Sequence, residues 1–213
     1  MTRILIADDH LVVRSGLRAI LEAQEGWQVV AEAADGRDAL NKAIETKPDV
    51  AIIDYSLPVM NGVEVTREIC SRAPGIEVLM FTMHDREALI REVIEAGARG
   101  YLLKSDAKRN LIAAVRSLAG HKPFFTEKLA TAVLRPLLSP SKETTEREPS
   151  LSPRERRIVQ LIAEGHSNRE TSEILGLSVK TIEAHRSAAM RKLNLTSTAA
   201  IVRYAIRNGL VEP

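Results

Sequence analysis

Val50-Ala51-Ile52-Ile53-Asp54-Tyr55 is the stretch on which the fold turns. Four apolar residues, three of them β-branched, run directly into one aspartate. A continuous apolar run of this length reads as a strand buried on both faces, the form strands take in a parallel sheet covered by helices. A carboxylate at the carboxyl end of such a strand sits where open α/β sheets place their chemistry. Tyr55-Ser56-Leu57-Pro58 ends the strand, and Asn61-Gly62 supplies a turn.

Working outward, the same grammar repeats on both sides. Arg3-Ile4-Leu5-Ile6-Ala7 predicts a short strand that stops at Asp8-Asp9. Val13, Leu17, Ile20 and Leu21 then recur at helical spacing. A second strand is expected over 27–33, and Asp35-Gly36 turns the chain into a helix over 37–46. That helix turns Ala39, Leu40, Ala43 and Ile44 inward, and Pro48 stops it. Beyond the central strand, a helix over 63–72 ends near Pro74-Gly75, and a strand over 77–81 stops at Thr82. A helix over 86–96 is closed by Gly97, and Gly100-Tyr101-Leu102-Leu103 stops at Lys104. A helix over 107–118 follows, with Gly120 just beyond it. Strands alternating with helices predict a doubly wound (βα)5 domain over residues 1–122, with parallel strand order 2-1-3-4-5. Four strands then end on polar residues at one edge: Asp8, Asp9, Asp54, Thr82 and Lys104.

The 213 residues have an ordinary apolar fraction of 45% but only 3% aromatics, so Leu, Ile, Val and Ala must build the core. A single cysteine, Cys70, excludes an intramolecular disulfide and a thiol-rich metal site. No apolar run approaches a membrane span, and Met1-Thr2-Arg3 leads straight into a strand, so a cytoplasmic protein without membrane partners is expected. Charge is unevenly spread. Residues 1–130 carry 17 Lys+Arg against 19 Asp+Glu, whereas residues 151–213 carry 10 against 6. The basic second part suggests that it handles nucleic acid.

Between these parts, Leu129, Val133 and Leu137 suggest a helix over 126–138, and the segment 139–150 has no apolar residue. The span 123–150 therefore reads as a connecting helix and linker. An all-α domain of four helices is expected over 151–213. Ser152-Pro153-Arg154-Glu155 and Ser167-Asn168-Arg169-Glu170 are two capping boxes, closed by Gly165 and by Gly176. Ser178 caps a third helix over 179–193, and Thr196 or Ser197 a fourth reaching Asn208-Gly209. Helix, short glycine turn, helix is the sequence form of a helix-turn-helix.

Clustered carboxylates repel one another in a partly desolvated site, and a hard divalent cation relieves this. Oxygen-only ligation with room for water suits Mg²⁺. Asp54 then reads as both ligand and nucleophile toward a phosphoryl group, with Lys104 and the Thr82 hydroxyl on other phosphoryl oxygens. On this reading Thr82 is drawn toward the new charge, and Tyr101 packs inward behind it as a two-state switch.

Asp8-Asp9, Asp54, Leu57-Pro58 with Gly62, Thr82, Tyr101 and Lys104 resemble the receiver domain of bacterial two-component response regulators. Asp8-Asp9-His10, Thr82-Met83-His84-Asp85 and Gly100-Tyr101-Leu102-Leu103-Lys104-Ser105 are similar to its NarL/FixJ branch. Leu151-Ser152-Pro153-Arg154-Glu155, Gly165-His166-Ser167-Asn168-Arg169-Glu170 and Ser178-Val179-Lys180-Thr181-Ile182-Glu183-Ala184-His185 resemble the LuxR-type DNA-binding domain. The resemblance implies a transcription factor, not an enzyme beyond Mg²⁺-dependent self-phosphorylation and autodephosphorylation at Asp54. It implies that Asp9, Asp54 and the backbone carbonyl of Ser56 hold Mg²⁺, with Asp8 acting through water. It also implies a sensor histidine kinase as phosphoryl donor and promoter DNA as target. Ser56 and His84, two residues after Asp54 and Thr82, line the route of hydrolytic water in such domains.

On the third helix of the second domain, Lys180, Glu183, Ala184 and Ser187 share one face, while Val179, Ile182, Met190 and Leu193 form a more apolar side. The polar face fits the major groove. Lys180 can reach guanine or phosphate. Glu183 can accept from cytosine or pair with Arg186 or Lys180, and Ala184 can touch a thymine methyl. Thr181, His185, Arg191 and Arg169 are phosphate candidates. Thr171-Ser172 departs from the apolar pair the family usually shows, and Thr171 is expected to bury its methyl and bond its hydroxyl to the preceding turn. Phosphorylation is expected to favour a homodimer reading two half-sites. Two other readings stand beside this one. A Mg²⁺-dependent phosphatase with an Asp nucleophile would need a second acid where Ser56 stands, and a constitutive DNA binder would have no use for the complete acid, hydroxyl and lysine set.

Overall fold

The computed structural model describes residues 1–126 and 151–211. The helix expected over 126–138, apart from Thr126, and the linker over 139–150 lie outside the described residues. The chain divides into two compact units, with the described residues up to 126 in one and those from 151 in the other.

The first unit is built on a parallel sheet. Its strands are β1 (Thr2–Ala7), β2 (Trp27–Ala33), β3 (Val50–Asp54), β4 (Glu77–Thr82), β5 (Gly100–Leu103) and β6 (Phe124–Phe125). They lie in the order β2-β1-β3-β4-β5-β6. The expected five-stranded order holds, with a sixth strand added beyond residue 122. Two residues carry no periodicity, so β6 was not legible. It is held where Phe124 packs against the core and its N–H donates to the Arg99 carbonyl at 2.9 Å. Helices α1 (Leu11–Glu22), α2 (Gly36–Thr46), α3 (Gly62–Arg72), α4 (Glu87–Glu95) and α5 (Ala107–Ala119) alternate with the strands.

Every residue of β3 is buried, as its unbroken apolar run requires. Ile4, Ile6, Ile52, Leu79, Phe81 and Leu102 face one helical layer, where Leu17 and Leu21 of α1 and Leu111, Val115 and Leu118 of α5 meet them. The single tryptophan, Trp27, packs partly buried against this cluster. Ile44, expected inside, is exposed, and so is Ile20 of the helical pattern in α1.

Asn61-Gly62 does not make the turn expected of it. Asn61 is the N-cap of α3, accepting from the Glu64 N–H at 3.0 Å, and Gly62 is the first helical residue. A Cβ on Gly62 would lie 2.2 Å from the Asp54 carbonyl oxygen, and one on Gly36 would lie 1.8 Å from that of Met60. Only glycine lets these loops close over the end of β3.

The second unit contains α6 (Pro153–Ala163), α7 (Asn168–Leu175), α8 (Val179–Lys192) and α9 (Thr198–Arg207). Both capping boxes form. Ser178 caps α8 and Ser197 caps α9. Ile158, Val159, Leu161, Ile162, Ile182, Ala189, Ile201 and Ala205 are buried. Val179 is exposed rather than core, because it opens α8 before the helix reaches its neighbours, and Met190 and Leu193 are half-buried. No helix among the described residues is long and apolar enough to cross a membrane.

Candidate functional site

The register of the sheet gathers the first candidate site. Ala7 pairs with Ile53, so the next residues, Asp8 and Asp54, emerge side by side; Asp54 pairs with Phe81 and Thr82 with Leu103. Asp8, Asp54 and Thr82 are at most 2% exposed. Lys104 reaches between the two acids, its Nζ 2.8 Å from Asp8 Oδ2 and 3.1 Å from Asp54 Oδ2. Burial pushes the Asp54 carboxyl up; the Lys104 charge opposes this and Asp8 reinforces it, leaving the group at about 7. Burial also opposes the Lys104 charge, but Asp54 and Asp8 outweigh it and hold the ammonium above its ordinary range.

Asp9 is less enclosed and faces His10, whose Nδ1 lies 2.7 Å away. Donor atoms of Asp8, Asp9 and His10 all lie within 4.8 Å of one another. Asp8 Oδ2, Asp9 Oδ1 and Asp54 Oδ2 are buried oxygens without a well-formed hydrogen bond among the described residues. Lys104 Nζ stands near the first and third and His10 Nδ1 near the second, and hard oxygen donors crowded in this way fit a divalent cation of the Mg²⁺ type. Ser56 is buried in the loop that follows.

The switch candidates share one intermediary. The backbone N–H of His84 donates to Thr82 Oγ1 at 3.2 Å, and its carbonyl accepts from the Tyr101 hydroxyl at 2.6 Å. The imidazole stands edge-on to Tyr55, with ring centroids 5.6 Å apart. Tyr101 is fully buried, and burial holds its phenol above the ordinary range. The ring stands inside in the present structure, with its hydroxyl bonded to the His84 carbonyl.

Sequence reading missed Arg14. Its guanidinium donates to the Asp8 carbonyl at 2.7 Å and lies 3.5 Å from Glu32 of β2, fixing the turn that presents both acids. Its place one helical turn after His10 was the available signal.

In the second unit, Lys180, Glu183, Ala184, Ser187 and Arg191 are exposed along α8, and Thr181 and His185 are half-exposed. Arg169, exposed on α7, pairs with Glu173 at 3.3 Å. Arg186 turns away from this face. It does not pair with Glu183; it donates to Asn168 Oδ1 at 3.0 Å and to Thr198 Oγ1 at 2.6 Å. Lys192 ties the end of α8 to Glu155, 2.7 Å away. Thr171 is buried as expected, but its hydroxyl has no partner among the described residues. Ser172 makes the backbone bond instead, to the Arg169 carbonyl at 2.7 Å.

Comparison with known proteins agrees with this division. The response regulator receiver domain model matches residues 4–116, and the model of bacterial regulatory proteins of the luxR family matches residues 149–205. The oxygen regulatory protein NreC of Staphylococcus epidermidis is 40% identical over 216 residues, covering 99% of both chains. RcsB of Salmonella enterica serovar Typhimurium, bound to the promoter rprA with the phosphomimetic BeF3-, is 28% identical, with a TM-score of 0.67 over 96% of this chain and 98% of that one. A LuxR-family two-component response regulator from Aurantimonas is 34% identical, with a TM-score of 0.61 over 65% of this chain and 99% of that one. The chain belongs to the response regulators of the NarL/FixJ type, transcription factors that join a receiver domain to a LuxR-type DNA-binding domain.

Proposed function

We propose that Asp54 is the phosphoacceptor and that its acyl phosphate controls dimerisation and promoter binding. The observation that carries this reading is the single lysine held between two buried carboxylates, Asp8 after β1 and Asp54 at the end of β3. Asp9, Asp54 and the Ser56 carbonyl would hold Mg²⁺, with Asp8 through water; the cation would neutralise charge developing on the transferred group.

The remaining steps belong to the chain's own groups. An Asp54 oxygen attacks phosphorus in line as the bond to the donor, a histidine kinase phosphohistidine, breaks. Lys104 exchanges a carboxylate for a phosphoryl oxygen, so its charge stays compensated throughout. Thr82 Oγ1 accepts from His84 while its own proton remains available, and that proton turns to another phosphoryl oxygen. Movement of Thr82 pulls on the His84 N–H, and the Tyr101 hydroxyl is bonded to the carbonyl of the same residue, in the next peptide group. The loop after β4 is thus the two-state element that the phosphoryl group biases.

The output face is α8, with Lys180, Glu183, Ala184 and Ser187 toward bases and Thr181, His185, Arg191 and Arg169 toward phosphates. The structure of two RcsB dimers bound to two parallel DNAs supports a dimeric reader. Sedimentation with Mg²⁺ and beryllofluoride, beside the Asp54→Asn variant, tests the switch. A monomer-to-dimer shift in the wild type alone is expected; an equal shift in Asp54→Asn would remove Asp54 from the mechanism.

A further inference from the structure

Arg186 is a cation on the recognition helix that faces away from the reading surface. Its two terminal nitrogens are committed, one to Asn168 and one to Thr198. Asn168 is the first residue of α7 and Thr198 the first residue of α9. Both helix starts already have serine caps, Ser167 accepting from Glu170 N–H and Ser197 from Ala200 N–H. The guanidinium is therefore not there to cap them. A positive charge beside two helix N-termini also opposes their dipoles. The arrangement trades favourable electrostatics for geometry: one planar group fixes the start of two helices against the middle of a third.

We propose that Arg186 is a positioning residue for DNA recognition, setting the orientation of α8 against α7 and α9 rather than touching DNA. The inference rests on the DNA-reading role given to α8. Base contacts tolerate little misplacement of the side chains that make them, whereas contacts to a uniform phosphate backbone tolerate more. Loss of the Arg186 clamp then degrades discrimination between sequences and leaves non-specific affinity nearly intact. Loss of a phosphate contact does the opposite: it weakens binding to every duplex and lowers the dependence of log affinity on log salt by about 0.9.

The test uses the full chain and two probes: a duplex enriched from a random pool by the wild-type protein, and an unrelated duplex of equal length. Affinities are measured over a range of salt for wild type, Arg186→Gln, Thr198→Val, Asn168→Ala and the double variant of the first two. Thr198→Val keeps side-chain shape and provides a fold-competent variant if Arg186→Gln loses stability. The expected result is roughly tenfold weaker binding of the enriched duplex by Arg186→Gln, in keeping with one lost base contact. Binding of the unrelated duplex stays within about twofold and the salt slope is unchanged. Thr198→Val and Asn168→Ala shift in the same direction, and the double variant is no worse than Arg186→Gln alone. A fall in salt slope on both duplexes would make Arg186 a phosphate contact and overturn the proposal. So would wild-type discrimination in both Thr198→Val and Asn168→Ala. A wild-type chain that enriches no sequence and binds no duplex would overturn the DNA-reading role itself, and the inference with it.

Discussion

The receiver edge and the recognition helix solve opposite problems with the same residue types. At the edge of the sheet, Asp8 and Asp54 are taken out of water, and Lys104 is packed within ion-pair distance of both. Along α8, Lys180, Glu183 and Arg191 stay in solvent. The buried group brings opposite charges together at the cost of desolvating them. The exposed group keeps its charges hydrated until a partner displaces the water. On the proposed function, chemistry falls to the half where charges are costly and recognition to the half where they are cheap.

The sharpest way to break this contrast is Lys104→Met. Removing one partner from a buried ion pair costs about 3–5 kcal/mol, far more than loss of a surface charge. Denaturant unfolding at pH 8 in chelator is expected to show that loss in the receiver transition; a change as small as for a surface lysine would mean that the edge is not desolvated as described.

The second test uses pH. The Asp54 carboxyl is raised by burial from 3.8 to about 7 in the folded chain. Its protonated form is favoured by folding, so the stability it contributes is fully present below about 4 and is lost as pH rises toward 7. Cation-free protein is expected to unfold at progressively lower denaturant over that range, and Asp54→Asn to flatten the trend. A profile for Asp54→Asn parallel to wild type would place the titration elsewhere.

On the exposed side, Lys180→Gln leaves the unfolding transition unchanged and acts on DNA alone. A phosphate contact removed lowers the salt slope by about 0.9, whereas a guanine contact removed costs about 1–3 kcal/mol on the preferred sequence only. Anisotropy titrations at two salt concentrations separate these. The smallest effect expected is Thr171→Val. Its hydroxyl is buried without a partner among the described residues, so replacing it by a methyl stabilises the second unit by about 1 kcal/mol. A lower thermal midpoint would show that the hydroxyl is satisfied after all.

The parts of this molecule that could be read in advance are those where chemistry coincides with a period. The apolar run of β3 had no other reading, and strands ending on Asp8, Asp54, Thr82 and Lys104 pointed to one edge because parallel strands end together. Capping boxes at Ser152 and Ser167 located α6 and α7 because their chemistry is local. What escaped was settled by distant geometry. Arg186 finds partners 18 and 12 residues away, and no pattern in α8 distinguishes it from Arg191. The bridge between Thr82 and Tyr101 runs through the backbone of His84, where side-chain identity is silent. Ser172, not Thr171, bonds back to its helix, and nothing in the local sequence distinguishes the two hydroxyls.

Trp27 stands on β2 against the receiver core, and the chain has no other tryptophan. Excitation at the red edge of the protein band therefore illuminates one half of the molecule and leaves the other dark. Unfolding followed by this emission reports the receiver alone, while far-ultraviolet dichroism sums both halves. Whether the two curves coincide measures directly how far the sensor and the reader melt as one body.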